Sequence, residues 1–203
     1  MGFLTVAGKN RMLDALAGTA SGSAISHVGL LTKGANITGV TSTGSPDTFT
    51  KTSHGLSNGD LVVASSISGG TGLVAGFPYF IVSTATNTFQ LALTSGGAAI
   101  DLSADLTSAT FNKLTEISGG SPAYARKPQA YAAAAASLID DSTNGAVFDV
   151  PAGGVVDYHG FYTASTAGTL MAVDDVTQEV FGAQGTYTVT DTKQDLRESG
   201  GLG

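Results

Sequence analysis

Nine short runs rich in valine, isoleucine, threonine, tyrosine and phenylalanine alternate with clusters of glycine, serine, asparagine and aspartate. They lie at 26–32, 49–52, 61–67, 79–83, 88–94, 147–150, 155–163, 170–173 and 186–190. β-Branched and aromatic side chains fit a pleated, half-buried surface, and turn residues at close intervals fold such runs back on one another. The pattern predicts a mainly β fold of the sandwich or barrel kind rather than alternating α/β units. One helix is expected, over 4–17, where Leu4, Met12, Leu13 and Leu16 fall near helical spacing, Thr5 offers a cap and Gly18 a stop. The alanine-rich stretch 129–138 has the composition of a helix. Its β neighbours and the turn cluster DDSTNG after it nevertheless predict a hairpin strand.

Composition shifts near residue 36 and again near 113. The stretch between them is almost purely β, punctuated by TSTGSPD, HGLSNGD, GGTG, TATN and SGG, and ending at TFNKL. It reads as a β module, 36–113, inserted into a loop of a discontinuous outer domain, 1–35 with 114–203. The outer domain is expected to be β-sandwich-like with the N-terminal helix. Its expected core is Leu13, Leu16, Val28, Leu30, Val147, Phe161, Leu170, Phe181 and Val189.

The chain has no cysteine, so disulfides, thiolate metal sites and cysteine nucleophiles are excluded. Charged residues make up 12%, against about 25% in an average soluble domain. A net charge of -7 opposes the phosphate neutralisation on which nucleic-acid affinity rests, so a nucleic-acid partner is not expected. No apolar run approaches the roughly 18 residues of a membrane-spanning helix. The start, MGFLTVAGKNRML, does not read as a signal peptide, and Val6 spoils a myristoylation signal.

Motifs that would carry chemistry fail on inspection. Asp140, Ser142, Asn144 and Gly145 imitate the start of a calcium loop, but its twelfth position is Pro151, so a turn is expected and no metal. Asp174 and Asp175 are adjacent, so on a strand they point to opposite faces and cannot flank one bond; a solvated turn after Val173 is expected there. His27, His54 and His159 have no metal-ligand spacing, and His159 reads as a satisfied or surface histidine. No G-x-S-x-G elbow is present, and GGTGLVAG misses the dinucleotide pattern. The sequon at Asn36 matters only in a glycosylating host. No catalytic residue and no cofactor are expected. Tyr124, Arg126 and Lys127 form the one cationic cluster, read either as a contact for an acidic partner surface or as a charged strand edge that discourages aggregation.

The segments VAGKNRMLDALAG, SHVGLLT, EISGGSPAYARK, FDVPAGGVVDYHGFYTAS and EVFGAQGTYTVT, in that order, resemble a family of small tailed-bacteriophage structural proteins, described as tail-fibre or minor tail proteins of actinobacteriophages. HGLSNGDLVVAS and AGFPYFIVSTATNTFQLALTSGGAAIDL resemble a β module that recurs in phage and bacterial surface proteins, in which the histidine is structural. Pro128 departs from the pattern, since relatives continue there into an apolar strand. The resemblance implies a non-enzymatic virion component assembled in the host bacterial cytoplasm. Its partners would be other virion proteins and copies of itself. Phe3, Leu4 and Leu202, with Tyr124, Arg126 and Lys127, are the expected contact residues. A capsid decoration protein and a carbohydrate-binding module that takes host-surface glycan are the alternatives.

Overall fold

A computed structural model describes residues 2–6, 8–9, 24–129 and 145–189. The chain is mainly β, with twelve strands among the described residues: β1 (Gly2–Leu4), β2 (His27–Thr43), β3 (Thr48–Thr50), β4 (Leu61–Thr71), β5 (Pro78–Val82), β6 (Thr88–Ala92), β7 (Ala104–Glu116), β8 (Lys127–Pro128), β9 (Ala146–Val150), β10 (Val155–Tyr162), β11 (Leu170–Val180) and β12 (Gly185–Val189). They fall into two compact units. One comprises the residues up to Thr32 with those from Glu116 onward, and the other is Lys33–Thr115. The seams expected from composition were 35/36 and 113/114.

In the first unit the strand order is β1-β11-β10-β2, with β8 beside β2, and all pairs are antiparallel. A separate antiparallel pair, β9 and β12, faces it. The core between them is Val28, Leu30, Ile117, Phe148, Val150, Val156, Phe161, Ala172 and Val189. Alternation puts Val28 and Leu30 of β2, and His159 and Phe161 of β10, on this inner face. Val147, expected in the core, is instead 47% exposed, and Phe148 is fully buried in its place. A shift of one residue along a strand exchanges the two faces, and the run AVFDV offers an apolar residue to each. Phe181 packs on the rim of the core, Leu170 is buried, and Leu13 and Leu16 lie outside the described residues.

In the second unit β2, β3, β6, β5, β4 and β7 follow one another around a closed antiparallel barrel, sealed by the pairing of β2 with β7. Closure removes the exposed edges that a small sheet would otherwise carry. Phe49 stacks on Phe89 at 5.5 Å, and Phe111 stands edge-on to both at 6.0 Å. All three rings are fully buried. Burial of each is worth about 2–3 kcal/mol, and offset or edge-on ring pairs add to that. Asp47, also fully buried, accepts the Ser42 hydroxyl and the Leu102 N–H at 2.6 Å each, while Ser42 Oγ accepts the Leu106 N–H. This side chain ties three segments of the barrel together, which satisfies a polar group that burial would otherwise leave unpaired.

Two further expectations are corrected, and one strand is new. The helix expected over 4–17 is not established among the described residues: Leu4 ends strand β1, whose backbone groups are satisfied by the edge of β11. After it Thr5 Oγ1 accepts the Gly8 N–H and Thr5 O accepts the Lys9 N–H. Residues 10–23 lie outside the described residues. Asp174 and Asp175 are not in a turn, because β11 runs on to Val180 and places them opposite His159 and Tyr158. The strand β7 was not anticipated from sequence beyond its end at TFNKL. The alanine-rich stretch beyond Gln129 and the calcium-like run up to Asn144 lie outside the described residues.

Candidate functional site

A dense polar arrangement among the described residues of the first unit is built on a gap. Gly29 of β2 lies opposite Gly160 of β10, and the missing side chains leave room on the outer face of the sheet. A Cβ on Gly29 would stand 2.9 Å from Tyr124 Oη, 3.0 Å from Glu116 Oε1 and 3.1 Å from the Tyr162 ring. Glu116 ends β7, Tyr162 ends β10, and Tyr124 and Arg126 lie on the segment leading into β8.

Arg126 holds Glu116 with both ends of its fork, Nε to Oε1 at 2.8 Å and Nη2 to Oε2 at 2.7 Å. Its Nη1 donates to the Ala164 carbonyl at 3.1 Å, and its guanidinium carbon lies 3.4 Å above the centre of the Tyr162 ring. A planar, always-charged group is the residue type suited to a bidentate carboxylate and an aromatic face at once. Tyr124 Oη donates to Glu116 Oε1 at 3.1 Å and accepts the Leu30 N–H at 2.7 Å, which fixes β2. Its ring stacks on Phe148 of the core at 5.9 Å. Burial, with the Glu116 charge adding to it, pushes the Tyr124 and Tyr162 phenols well above their ordinary range. Both remain neutral at any physiological pH.

Two histidines hold strands and turns rather than face a cleft. His159 is buried on β10, its Nε2 2.9 Å from Tyr187 Oη on β12, with Phe161 and Tyr187 edge-on to its ring. Burial lowers its pKa to about 4, so at neutral pH the ring is uncharged. His54 in the barrel accepts the Leu56 N–H at Nδ1, which leaves Nε2 as the donor to Ala85 O at 2.9 Å and Thr88 O at 3.2 Å. One side chain thus closes two turns.

Of the residues expected to make contacts, Tyr124 and Arg126 are engaged in this internal cluster. Lys127 is half-buried in β8 opposite Val28. Phe3 and Leu4 lie in β1, paired with Val173 and Ala172, and Leu202 lies outside the described residues. Sequence reasoning did not single out Glu116, Tyr162, Gly29 or Gly160, although each lies inside a segment that carries the resemblance. Among the described residues no group of three histidine, aspartate or glutamate side chains converges to hold a metal, and no helix is long and apolar enough to cross a membrane. No protein-family model, no curated protein and no solved structure matches the chain.

Proposed function

We propose that the chain is a non-enzymatic structural component of a tailed-phage virion, of the minor tail or tail-fibre type, working as copies of itself together with other virion proteins. The observation that carries the reading is where its phage-like segments go. SHVGLLT supplies Gly29 and Leu30, EISGGSPAYARK supplies Glu116, Tyr124 and Arg126, and the segment containing DYHGFYT supplies Gly160 and Tyr162; all of them meet in one internal cluster. Residues engaged with one another in this way serve the shape of a scaffold. The buried polar side chains His54, His159, Asp47 and Ser42 are likewise tied to neighbouring strands and turns. A sandwich-like unit and a closed barrel, each with its own core, suit a component that presents a β surface.

The test is placement on the particle. Antibodies against the purified chain, applied to particles released by the source genome, should label the tail in negative-stain micrographs. Uniform labelling of the head would replace the tail position with capsid decoration. Absence of its peptides from purified particles by mass spectrometry would overturn the virion reading, and a rise in melting temperature with host cell-wall polysaccharide would point to a carbohydrate-binding module.

A further inference from the structure

We infer that Asn58–Gly59 is a latent deamidation site, held unreactive by the closed barrel turn in which it lies and released when that turn opens. An asparagine followed by glycine is the dipeptide most open to this reaction, because glycine offers the least hindered backbone nitrogen. The Gly59 nitrogen attacks Asn58 Cγ, the Cγ–Nδ2 bond breaks, and ammonia leaves with the proton that the Gly59 nitrogen gives up. Water then opens the resulting succinimide at one carbonyl or the other, leaving aspartate or isoaspartate.

Both partners in the first step are restrained. The Gly59 N–H donates to the Ile81 carbonyl at 2.8 Å, so the nucleophile must first lose a bond that joins the turn to β5. Asn58 Oδ1 accepts both the Thr84 N–H at 3.0 Å and the Thr84 hydroxyl at 3.1 Å, which fixes the side-chain amide. The turn itself is closed by the Asp60 N–H on Ser57 O at 3.1 Å and by Asp60 Oδ2 on the Ser57 N–H at 2.8 Å, and the Asp60 carboxylate pairs with Lys113 at 2.8 Å. Gly59 has φ of +90°, the left-handed region that the third residue of a type II turn demands. Reaction therefore waits on local opening.

The two products differ in their effect on the fold. Aspartate keeps an oxygen where Thr84 donates, so the turn persists. Isoaspartate threads the main chain through the former side chain and lengthens the turn by one backbone carbon. That displaces β4 from its register with β5, in which Leu61 faces Phe80.

The full chain, folded and in concentrated urea, is incubated at mildly alkaline pH and followed by peptide mapping with mass spectrometry; the second Asn-Gly pair, Asn144–Gly145, reports in urea that the conditions are reactive. Loss of Asn58 is expected to be at least about tenfold slower in the folded chain, the factor that an opening free energy of about 1.4 kcal/mol already supplies. Thr84→Ala should raise the folded rate and leave the urea rate unchanged, and Asn58→Asp should melt as the parent does. Equal rates in folded and unfolded chain, or a Thr84→Ala variant that is folded yet no faster, would overturn the inference.

Discussion

Gly29 and Gly160 face each other across β2 and β10, and the Tyr162 ring lies over the gap between them, with the Arg126 guanidinium stacked on the ring. Neither glycine is needed for its backbone, since neither has a positive φ. They are needed for the absence of a side chain. A Cβ on Gly160 would come within 2.8 Å of the Tyr162 ring. Gly160→Ala should therefore cost about 1–3 kcal/mol, the usual price of overpacking a closed site. Chemical denaturation checks it, and Tyr162→Ala in the same chain should make the second substitution nearly neutral, because the obstruction is gone.

Glu116 is the acceptor that Tyr124 and Arg126 share. Glu116→Gln keeps its size and removes its charge, leaving a guanidinium only 12% exposed without its counter-ion. Since Glu116 itself is 28% exposed, solvent offsets part of the loss, and the expected cost is about 1–3 kcal/mol. Arg126→Lys should also destabilise, because an ammonium cannot hold both carboxylate oxygens and cover the Tyr162 ring. Urea midpoints of the two variants measure both effects; a loss within error for both would show that the ion pair contributes nothing.

The strands could be read in the sequence because their alternation is local, whereas the cluster could not, because its members meet only after β10 has paired with β2. All nine expected runs lie within strands or overlap them. The strand β7 was missed because ADLTSATFNKLTE mixes polar residues with Leu106, Ala109 and Phe111, and because a bulge at Thr107 breaks their alternation. The extension of β11 past Val173 was missed because two aspartates look like a turn, and in a strand their direction depends on what β10 places opposite them. Arg126 stood out as charge in a chain poor in charge. Its partner Glu116 lies ten residues away in sequence, and nothing short of the fold pairs them.

His159 makes stability depend on pH. Its folded pKa of about 4 lies below the ordinary 6.5, so as pH falls through 6.5 the unfolded chain binds a proton that the folded chain does not. The contribution is complete above about 6.5, is lost progressively down to about 4, and amounts to about 3 kcal/mol by linkage. Thermal melts between these limits should show the slope, and His159→Phe should reduce it. An unchanged slope in that variant would assign it to the carboxylates.

His54 is a clamp on two turns of the barrel. His54→Ala removes the acceptor for Leu56 and the donor for Ala85 and Thr88, and it uncovers the edge of Phe89, on which the ring packs at 5.0 Å. The expected loss is about 2–4 kcal/mol, confined to the barrel. Hydrogen exchange should show faster exchange at the Leu56 and Gly59 amides and unchanged protection at Leu30 and Ile117.

The first unit should fold without the barrel. The Ile117 N–H donates to Leu30 O at 3.0 Å, so the chain leaves this unit and returns to it at neighbouring points. Every member of its hydrophobic core lies at or before Leu30 or from Ile117 onward. The cluster that fixes β2, with Tyr124 on Leu30 and Glu116 on Arg126, also draws on no residue of 33–115. Replacing 33–115 with a short Gly-Ser loop changes closure entropy by only about 2 kcal/mol, since that cost grows with the logarithm of loop length. The deletion variant should be monomerically dispersed or assembled as the parent is, β-rich by circular dichroism, and cooperative on melting. The complementary fragment 33–115, whose ends lie on the paired strands β2 and β7, should retain the Phe49, Phe89 and Phe111 core. If both pieces were unfolded, the two units would depend on one another for stability, and the barrel could not be treated as a separable module.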